Sequence, residues 1–201
     1  MSTRAPGLRV TGLETEFGVM CAPVGPSEEM KADLPDVERA AALIFRHRPV
    51  GYRSTNLFLP NGGRLYLDIG AHPEYATAEC VRVRDLVAQD QAGRAILADM
   101  ARRAAARLAQ EGIAARFHLL ANNTDSAGHT YGCHESYSVP RSLLDAPDDA
   151  TRASSETTMA VLTSFLATRP VLVGSGRPLA GGPTEPNDGS RGAGEEAAWG
   201  L

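Results

Sequence analysis

Residues 63–80, with the sequence GRLYLDIGAHPEYATAEC, contain the pattern that most restricts how this chain folds. Successive side chains of a β-strand point to opposite faces of the sheet, so residues 64–69 place Arg64, Tyr66 and Asp68 on one face. The opposite face then carries the apolar side chains of Leu65, Leu67 and Ile69. The pattern predicts a strand anchored in a core from behind, with a row of polar groups in front. An ordinary half-exposed amphipathic strand gives the same alternation.

A second predicted strand, residues 9–20, adds two carboxylates. Glu14 and Glu16 share one of its faces, while Leu13, Thr15 and Phe17 share the other. A turn at His72 and Pro73 is expected to bring Glu74 and Thr77 back to the polar surface of residues 64–69.

Carboxylates that cluster on a sheet face repel one another unless a cation lies between them. Hard oxygen ligands suit Mg²⁺, which usually keeps several waters and bridges to phosphates. A face that bears Glu14, Tyr66, Asp68 and Glu74, with Arg64 nearby, therefore suggests metal-assisted nucleotide chemistry. Glu16 is a weaker candidate for the same metal than Glu14.

Other clusters of polar residues could bind a metal or could have a purely structural role. His72 with Glu74, and the run 133–135 (CHE), invite a transition-metal reading, but neither has the spacing of a zinc module. His129 and His134 are expected to organise a loop. For the residues Asn122, Asn123 and Asp125, capping of that loop and ligand binding remain equal alternatives.

Composition favours a single cytoplasmic globular domain. The chain has 201 residues and a formal net charge of −4, which gives no electrostatic reason to expect binding to nucleic acid or a membrane. No apolar run approaches the ~20 residues that span a bilayer, and the first residues lack the apolar core of a signal peptide. The three cysteines, Cys21, Cys80 and Cys133, are widely and irregularly spaced, so we expect reduced thiols.

Strand-like and helix-like patterns alternate along the chain. Helices are predicted over 35–47 with Pro35 in the first turn, over 84–110 with Gly112 as a stop, and over 155–168 with Ser154 or Ser155 as the cap. Their apolar stripes comprise Val37, Ala40, Ala41 and Ile44; Leu97, Met100, Ala104 and Leu108; and Met159, Leu162, Phe165 and Leu166. Strands are predicted over 9–20, 56–59, 64–69, 74–80, 115–120 and 133–139. This order predicts an α+β fold, an antiparallel sheet with helices packed on one face.

Three segments together resemble the Pup–protein ligase family (proteasome accessory factor A), whose members are relatives of carboxylate–amine ligases such as glutamine synthetase. They are GLETEFG (12–18), NLFLPNGGRLYLDIGAHPEYATAEC (56–80) and NNTDSAGHTYGCHESY (122–137). The resemblance implies a glutamine-synthetase-like sheet and ATP-dependent attachment of a small disordered protein tag, Pup, to lysines of target proteins. It also implies that the C-terminal glutamate of Pup is activated as a glutamyl phosphate.

The resemblance also implies roles for six residues. Glu14, Tyr66 and Glu74 look like magnesium-site positions, Arg64 and Thr77 look like ATP contacts, and Asp68 looks like the catalytic base. ATP and Mg²⁺ are the cofactors so implied. Pup and lysine-bearing proteins are the partners, and the products are marked for the bacterial proteasome.

The resemblance covers residues 8–174, and family members are considerably longer. We therefore expect residues 1–174 to be the N-terminal part of a Pup-ligase-like catalytic domain, with an incomplete sheet. Residues 175–201 are rich in Gly and Pro and have no apolar periodicity, so we expect them to be a divergent, disordered tail.

Two alternatives to a ligase remain. A depupylase (Pup deamidase) of the same family shares the sheet and the aspartate. However, it carries a long extra loop before the catalytic hairpin, whereas residues 21–63 are short here and LYLDIGAHPEYATAEC follows the ligase pattern. A non-catalytic remnant is the other alternative, and the tail from Ser175 favours it.

Overall fold

The computed structural model describes residues 9–25, 34–49, 54–121, 131–141 and 149–172. The chain forms two compact units, Met1–Ser138 and Val139–Leu201. The first unit contains the strands β1 (Thr11–Glu16), β2 (Gly18–Pro23), β3 (Asn56–Phe58), β4 (Arg64–Asp68), β5 (His72–Ala76), β6 (Ala115–Leu120) and β7 (Cys133–Tyr137), with the helices α1 (Val37–Arg46) and α2 (Val83–Gln110). The second contains α3 (Asp149–Leu172).

Five strands of the first unit form one antiparallel sheet in the order β3-β4-β5-β1-β7, and β2 and β6 form a second, two-stranded sheet. The side chains of Leu57, Leu65 and Tyr75 lie on one face of the larger sheet and are buried in the core. Helix α2 packs on this face, since the ring of Tyr75 lies against Gly93. The α+β class with an antiparallel sheet is confirmed.

The ring of Tyr75 is enclosed by two glycines. A β-carbon on Gly93 would lie 2.2 Å from its Cδ1, and one on Gly63 would lie 2.4 Å from its hydroxyl oxygen. That hydroxyl accepts a hydrogen bond from Asn61 Nδ2 (2.9 Å) and donates one to Gln89 Oε1 (3.0 Å). Tyr75 therefore links the turn between β3 and β4 to helix α2.

The prediction of one strand over 9–20 is wrong, because the strand changes sheets at Phe17. Up to Glu16 the chain pairs with β5, and the amide of Phe17 still donates to the carbonyl of Pro73 (2.9 Å). From Gly18 onwards it pairs with β6. Phe17 is 4% exposed, so burial of its ring accompanies the change of partner.

The predicted turn at His72 and Pro73 is also wrong, and so is the predicted strand over 74–80. Both residues belong to β5, which ends at Ala76. The chain reverses earlier, where Gly70 (φ 85°) and Ala71 (φ 62°) adopt left-handed backbone conformations. Glycine reaches this region without steric cost, which accounts for Gly70, whereas Ala71 adopts it despite its β-carbon.

Helices α1 and α2 begin and end close to the predicted positions. Asp36 caps α1, since its side chain accepts a hydrogen bond from the amide of Arg39 (2.8 Å), and Pro35 precedes the cap rather than lying in the first turn. Of the predicted stripes, all members are buried except Val37, which is exposed. Gly112 has φ 86° directly after the C-cap Glu111, as a terminating glycine requires.

Helix α3 is longer than the predicted 155–168, and Ser154 and Ser155 lie inside it rather than at its cap. Hydroxyl groups bond back to carbonyls one turn earlier, as from Thr158 to Ser154 (2.9 Å) and from Ser164 to Ala160 (2.8 Å). This accommodates the Ser and Thr residues within the helix. Of the predicted inward residues, Met159, Phe165 and Leu166 are each at least 39% exposed.

Some predictions fall on other parts of the chain. The loop residues Asn122, Asn123, Asp125 and His129, and the tail 175–201, lie outside the described residues. No helix within the described ranges has the length and apolarity needed to cross a bilayer.

Candidate active site

The register of the larger sheet assembles the polar side chains on the face opposite Leu65 and Tyr75. Tyr66 on β4 pairs with Glu74 on β5, and Glu74 pairs with Glu16 on β1. One row further, Arg64 pairs with Ala76, and Ala76 with Glu14. Paired and diagonal side chains on one face of an antiparallel sheet lie within contact distance. The alternation seen in the sequence therefore places charged groups from three strands on one surface.

Glu14, Tyr66 and Glu74 form the centre of this surface. The hydroxyl of Tyr66 donates a short hydrogen bond to Glu14 Oε1. Burial, followed by the hydrogen bond to Glu14, raises the pKa of Tyr66 far above its usual value, so the phenol stays neutral. Tyr66 thus orients the carboxylate of Glu14 as a neutral donor.

The pKa values of Glu14 and Glu74 shift in opposite directions. Glu74 is 4% exposed. Burial is the main cause that raises its pKa, the hydrogen bond from Tyr66 lowers it, and the negative charge of Glu14 raises it further; the net result is a pKa of about 7. Burial also acts to raise the pKa of Glu14, but hydrogen bonds from Tyr66 and His134 outweigh it and hold that pKa below the usual value. Near neutral pH, Glu14 is the ionised partner and Glu74 is partly protonated.

His134 on β7 completes the cluster. It pairs with Glu14 in the register, and its Nδ1 lies 3.2 Å from Glu14 Oε2. One ligand atom from each of Glu14, Glu74 and His134 lies within 4.8 Å of the others. A hard cation would match the two carboxylates and would replace the proton that the buried Glu74 holds, so the residues fit Mg²⁺. An imidazole suits softer metals, so His134 fits better as the hydrogen-bond partner of Glu14.

Arg64 lies beside this cluster and is held by two contacts. Its Nε donates to Asn56 Oδ1 (2.9 Å), and its Cζ lies 4.2 Å from the centre of the Tyr66 ring. Among the described residues it forms no ion pair. Its charge is therefore available on a surface that otherwise carries carboxylates.

The structure places the other two predicted site residues at the margins of the cluster. Asp68 ends β4, is exposed, and pairs with His72 in the register. Thr77 follows β5, and its Oγ1 accepts a hydrogen bond from the amide of Leu13 (3.0 Å). Within the described ranges this hydroxyl donates to no other group, so its proton is available to a ligand.

Glu16 lies on the same sheet face as Glu14, but its carboxylate contacts different residues. Its Oε1 lies 2.5 Å from His72 Nδ1, and its Oε2 accepts a hydrogen bond from the amide of Gly132 (2.7 Å). The ring of His72 in turn contacts that of Tyr131, with centroids 4.8 Å apart. These contacts tie the start of β7 to β1 and β5, and so hold His134 next to Glu14.

Sequence reasoning missed His134 and Asn56 as members of the site. The run CHE at 133–135 invites a transition-metal reading, and His134 is predicted to organise a loop. The loop prediction is wrong, because His134 lies in β7, where the register with β1 pairs it with Glu14. Asn56 carried no motif of its own, and its contact with Arg64 depends on the pairing of β3 with β4.

Comparison with known proteins identifies relatives of this chain in sequence and in structure. A sequence model of the family described as Pup-ligase protein matches residues 9–191. The Pup–protein ligase of Jonesia denitrificans is 47% identical over 169 residues, which cover 84% of this chain and 34% of that protein. The Pup–protein ligase of Xylanimonas cellulosilytica is 48% identical over 172 residues, covering 86% and 34%.

Two solved structures are also similar. The ligase PafA in complex with Prokaryotic Ubiquitin-like Protein Pup matches with a TM-score of 0.67 and 38% identity, over 89% of this chain and 33% of that one. The Pup ligase PafA in complex with ADP matches with a TM-score of 0.52 and 39% identity, over 82% and 33%. The chain thus spans about a third of the length of the relatives it matches.

Proposed function

This chain belongs to the Pup-ligase family, and we propose that it supplies the N-terminal part of the catalytic site of an ATP-dependent ligase. The ligase joins the C-terminal glutamate of Pup to lysine side chains of target proteins. Residues 1–174 are proposed to be this part of the catalytic domain. The relatives with solved structures bind Pup and ADP, which supports Pup and a nucleotide as the partners of this chain.

One observation carries the proposal: the carboxyls of Glu14 and Glu74 share a sheet face with the exposed carboxylate of Asp68 and with the guanidinium of Arg64. Among the described residues that guanidinium forms no ion pair. Isopeptide formation from a free carboxylate makes two chemical demands that such groups can meet. The carboxylate must first be phosphorylated to gain a leaving group, and the attacking amine must lose a proton.

The first step transfers the terminal phosphoryl group of ATP to the glutamate of Pup. Mg²⁺, when bound by Glu14 and Glu74 with Tyr66 orienting Glu14, would neutralise charge on the phosphates. Arg64 is proposed to contact the phosphates through its guanidinium and to stabilise the negative charge that develops on them. Thr77, anchored to β1 by the amide of Leu13, is proposed to donate its hydroxyl proton to the nucleotide.

The second step is attack by the target lysine. A lysine amine is mostly protonated near neutral pH, because its reference pKa is ~10.4. Asp68, exposed at the end of β4, is proposed to accept that proton as nitrogen bonds to the acyl carbon and phosphate leaves. A cytoplasmic location is proposed for this reaction, and the three free cysteines are compatible with a reducing compartment.

Titration of the purified chain with MgATP by calorimetry tests the nucleotide part of the proposal. Binding is expected, and Glu14→Ala and Glu74→Ala should each weaken it at least tenfold because a metal ligand is lost. Glu79→Ala is the matched control, since Glu79 is an exposed carboxylate five residues after Glu74. Absence of binding, or equal affinity in all four proteins, would contradict the proposed function.

A chimera tests the catalytic part. This chain replaces the matched third of the Jonesia denitrificans ligase, and Pup conjugation to a lysine-bearing protein is followed by gel shift. The chimera should conjugate Pup. An inactive chimera that folds and binds MgATP would show that this chain cannot supply the catalytic face.

A further inference from the structure

Asn56 lies on β3, at the edge of the sheet, and has no role in the mechanism described above. It pairs with Tyr66 in the register and lies diagonally across from Arg64. Its backbone amide donates to Ser54 Oγ (3.0 Å), which fixes the start of the strand. Its side-chain oxygen accepts the Nε–H of Arg64 at 2.9 Å.

The contact with Asn56 determines how the guanidinium of Arg64 is presented. A guanidinium is planar and carries five N–H donors in a fixed arrangement. Asn56 engages the Nε–H, while the Tyr66 ring lies 4.2 Å from Cζ and supports the group from one side. These two contacts fix the position and rotation of the plane and leave the Nη donors for another acceptor.

The described residues provide no acceptor for these Nη donors. No described carboxylate pairs with Arg64, and the carboxylate of Glu14 already contacts Tyr66 and His134. An arginine that is oriented but not neutralised suits a ligand with several anionic oxygens, since its donors match phosphate geometry.

We propose that Asn56 is a positioning residue that orients the Arg64 guanidinium toward the phosphates of the bound nucleotide. This inference rests on the proposed function. It assigns no contact between Asn56 and the nucleotide, so Asn56 acts only through Arg64.

A double-mutant cycle with MgATP as the probe tests this. Calorimetry compares the unaltered chain with Asn56→Leu, Arg64→Ala and the double variant. Arg64→Ala should weaken binding about tenfold or more, and Asn56→Leu, which keeps the side-chain size but removes the acceptor, about three- to tenfold. The double variant should match Arg64→Ala within twofold, because Asn56 has nothing left to orient.

Two controls separate orientation from folding. Thr55→Val is the matched exposed substitution next to Asn56 and should leave MgATP affinity unchanged. The urea midpoint of Asn56→Leu should equal that of the unaltered chain, whereas a structural role would lower it.

The outcomes distinguish this inference from the proposed function. If the unaltered chain fails to bind MgATP, both are overturned. If it binds and Glu74→Ala weakens binding, but Asn56→Leu does not, only the role of Asn56 is overturned. Additive losses in the double variant would also overturn it, since Asn56 would then act independently of Arg64.

Discussion

Replacing Glu74 by glutamine should stabilise the metal-free protein at alkaline pH. Glu74 is 4% exposed and lies beside the ionised Glu14, and its pKa rises from the usual 4.5 to about 7. The fold therefore favours the neutral carboxyl. Glutamine has the shape of that neutral form, and its amide can donate a hydrogen bond to Glu14 as the protonated acid does.

The magnitude follows from proton linkage. At about 1.36 kcal/mol per pKa unit, ionising Glu74 in the folded state costs up to about 3 kcal/mol relative to the unfolded chain. Between pH 4.5 and 7 the folded state binds more protons than the unfolded state, so the stability that Glu74 contributes falls as pH rises. Glu14 acts in another window: its lowered pKa contributes stability that is lost as pH falls below 4.5. We expect Glu74→Gln to gain about 1–3 kcal/mol at pH 8 and almost nothing at pH 4.5.

Urea unfolding followed by circular dichroism at several pH values between 4.5 and 8, in EDTA, measures this difference. A gain of about 2 kcal/mol corresponds to a rise of about 4–8 °C in Tm for a chain of this size. Glu79→Gln is the control and should show no pH-dependent gain, since Glu79 is exposed. With saturating Mg²⁺ the order should reverse, because the intact carboxylate pair binds the ion better and binding stabilises the folded state.

Equal stability of Glu74→Gln and the unaltered chain at pH 8 would refute the reasoning, because it would mean that the carboxyl is not strained by burial and by Glu14. A gain that persists unchanged at pH 4.5 would refute it as well, since packing rather than ionisation would then be the cause.

Three further predictions concern catalysis and packing. Asp68→Asn should reduce Pup conjugation by the chimera at least a hundredfold while leaving MgATP affinity within threefold; wild-type-like turnover would exclude Asp68 as the base. Gly93→Ala should destabilise the chain by about 2–4 kcal/mol in urea unfolding, because its β-carbon would lie 2.2 Å from the Tyr75 ring. Helix propensity alone would stabilise the chain by about 1 kcal/mol, so the sign of the measured change shows whether the contact with Tyr75 dominates. Leu97→Ala should cost about 2–5 kcal/mol, because Leu97 is fully buried in the core; a loss below about 1 kcal/mol would show that the site collapses around the missing methyl groups.

The sequence predicted those parts of the fold that depend on local alternation. Arg64, Tyr66 and Asp68 share a face because a strand has a period of two, and the stripe from Leu97 to Leu108 is buried because a helix has a period of 3.6. These periodicities act over a few residues and are visible without knowledge of the partner strands.

The predictions that failed concern segments whose structure depends on pairing with a distant strand. Nothing within residues 9–20 indicates that the chain leaves β5 and joins β6 at Phe17, because the side-chain alternation continues through the change. A His-Pro pair commonly marks a turn, but here Pro73 lies in β5 and its carbonyl accepts the amide of Phe17. The hydrogen bond from another strand overrides the local preference.

The same limit applies to the candidate site. Glu14, Tyr66 and Glu74 became candidates through long sequence motifs, whereas His134 and Asn56 join the candidate site only through strand register. Their contributions depend on residues 120 and 8 positions away along the chain, respectively.

The enclosure of Tyr75 has a consequence for how this protein can change over time. Gly63 and Gly93 are thirty positions apart, yet the same aromatic ring occupies the space that a methyl group would need at either one. Neither glycine can be replaced by a larger residue while Tyr75 is present. Loss of the tyrosine would leave a void in which larger residues fit at both positions. The three positions are therefore expected to covary, so that homologues replace all three together or none of them.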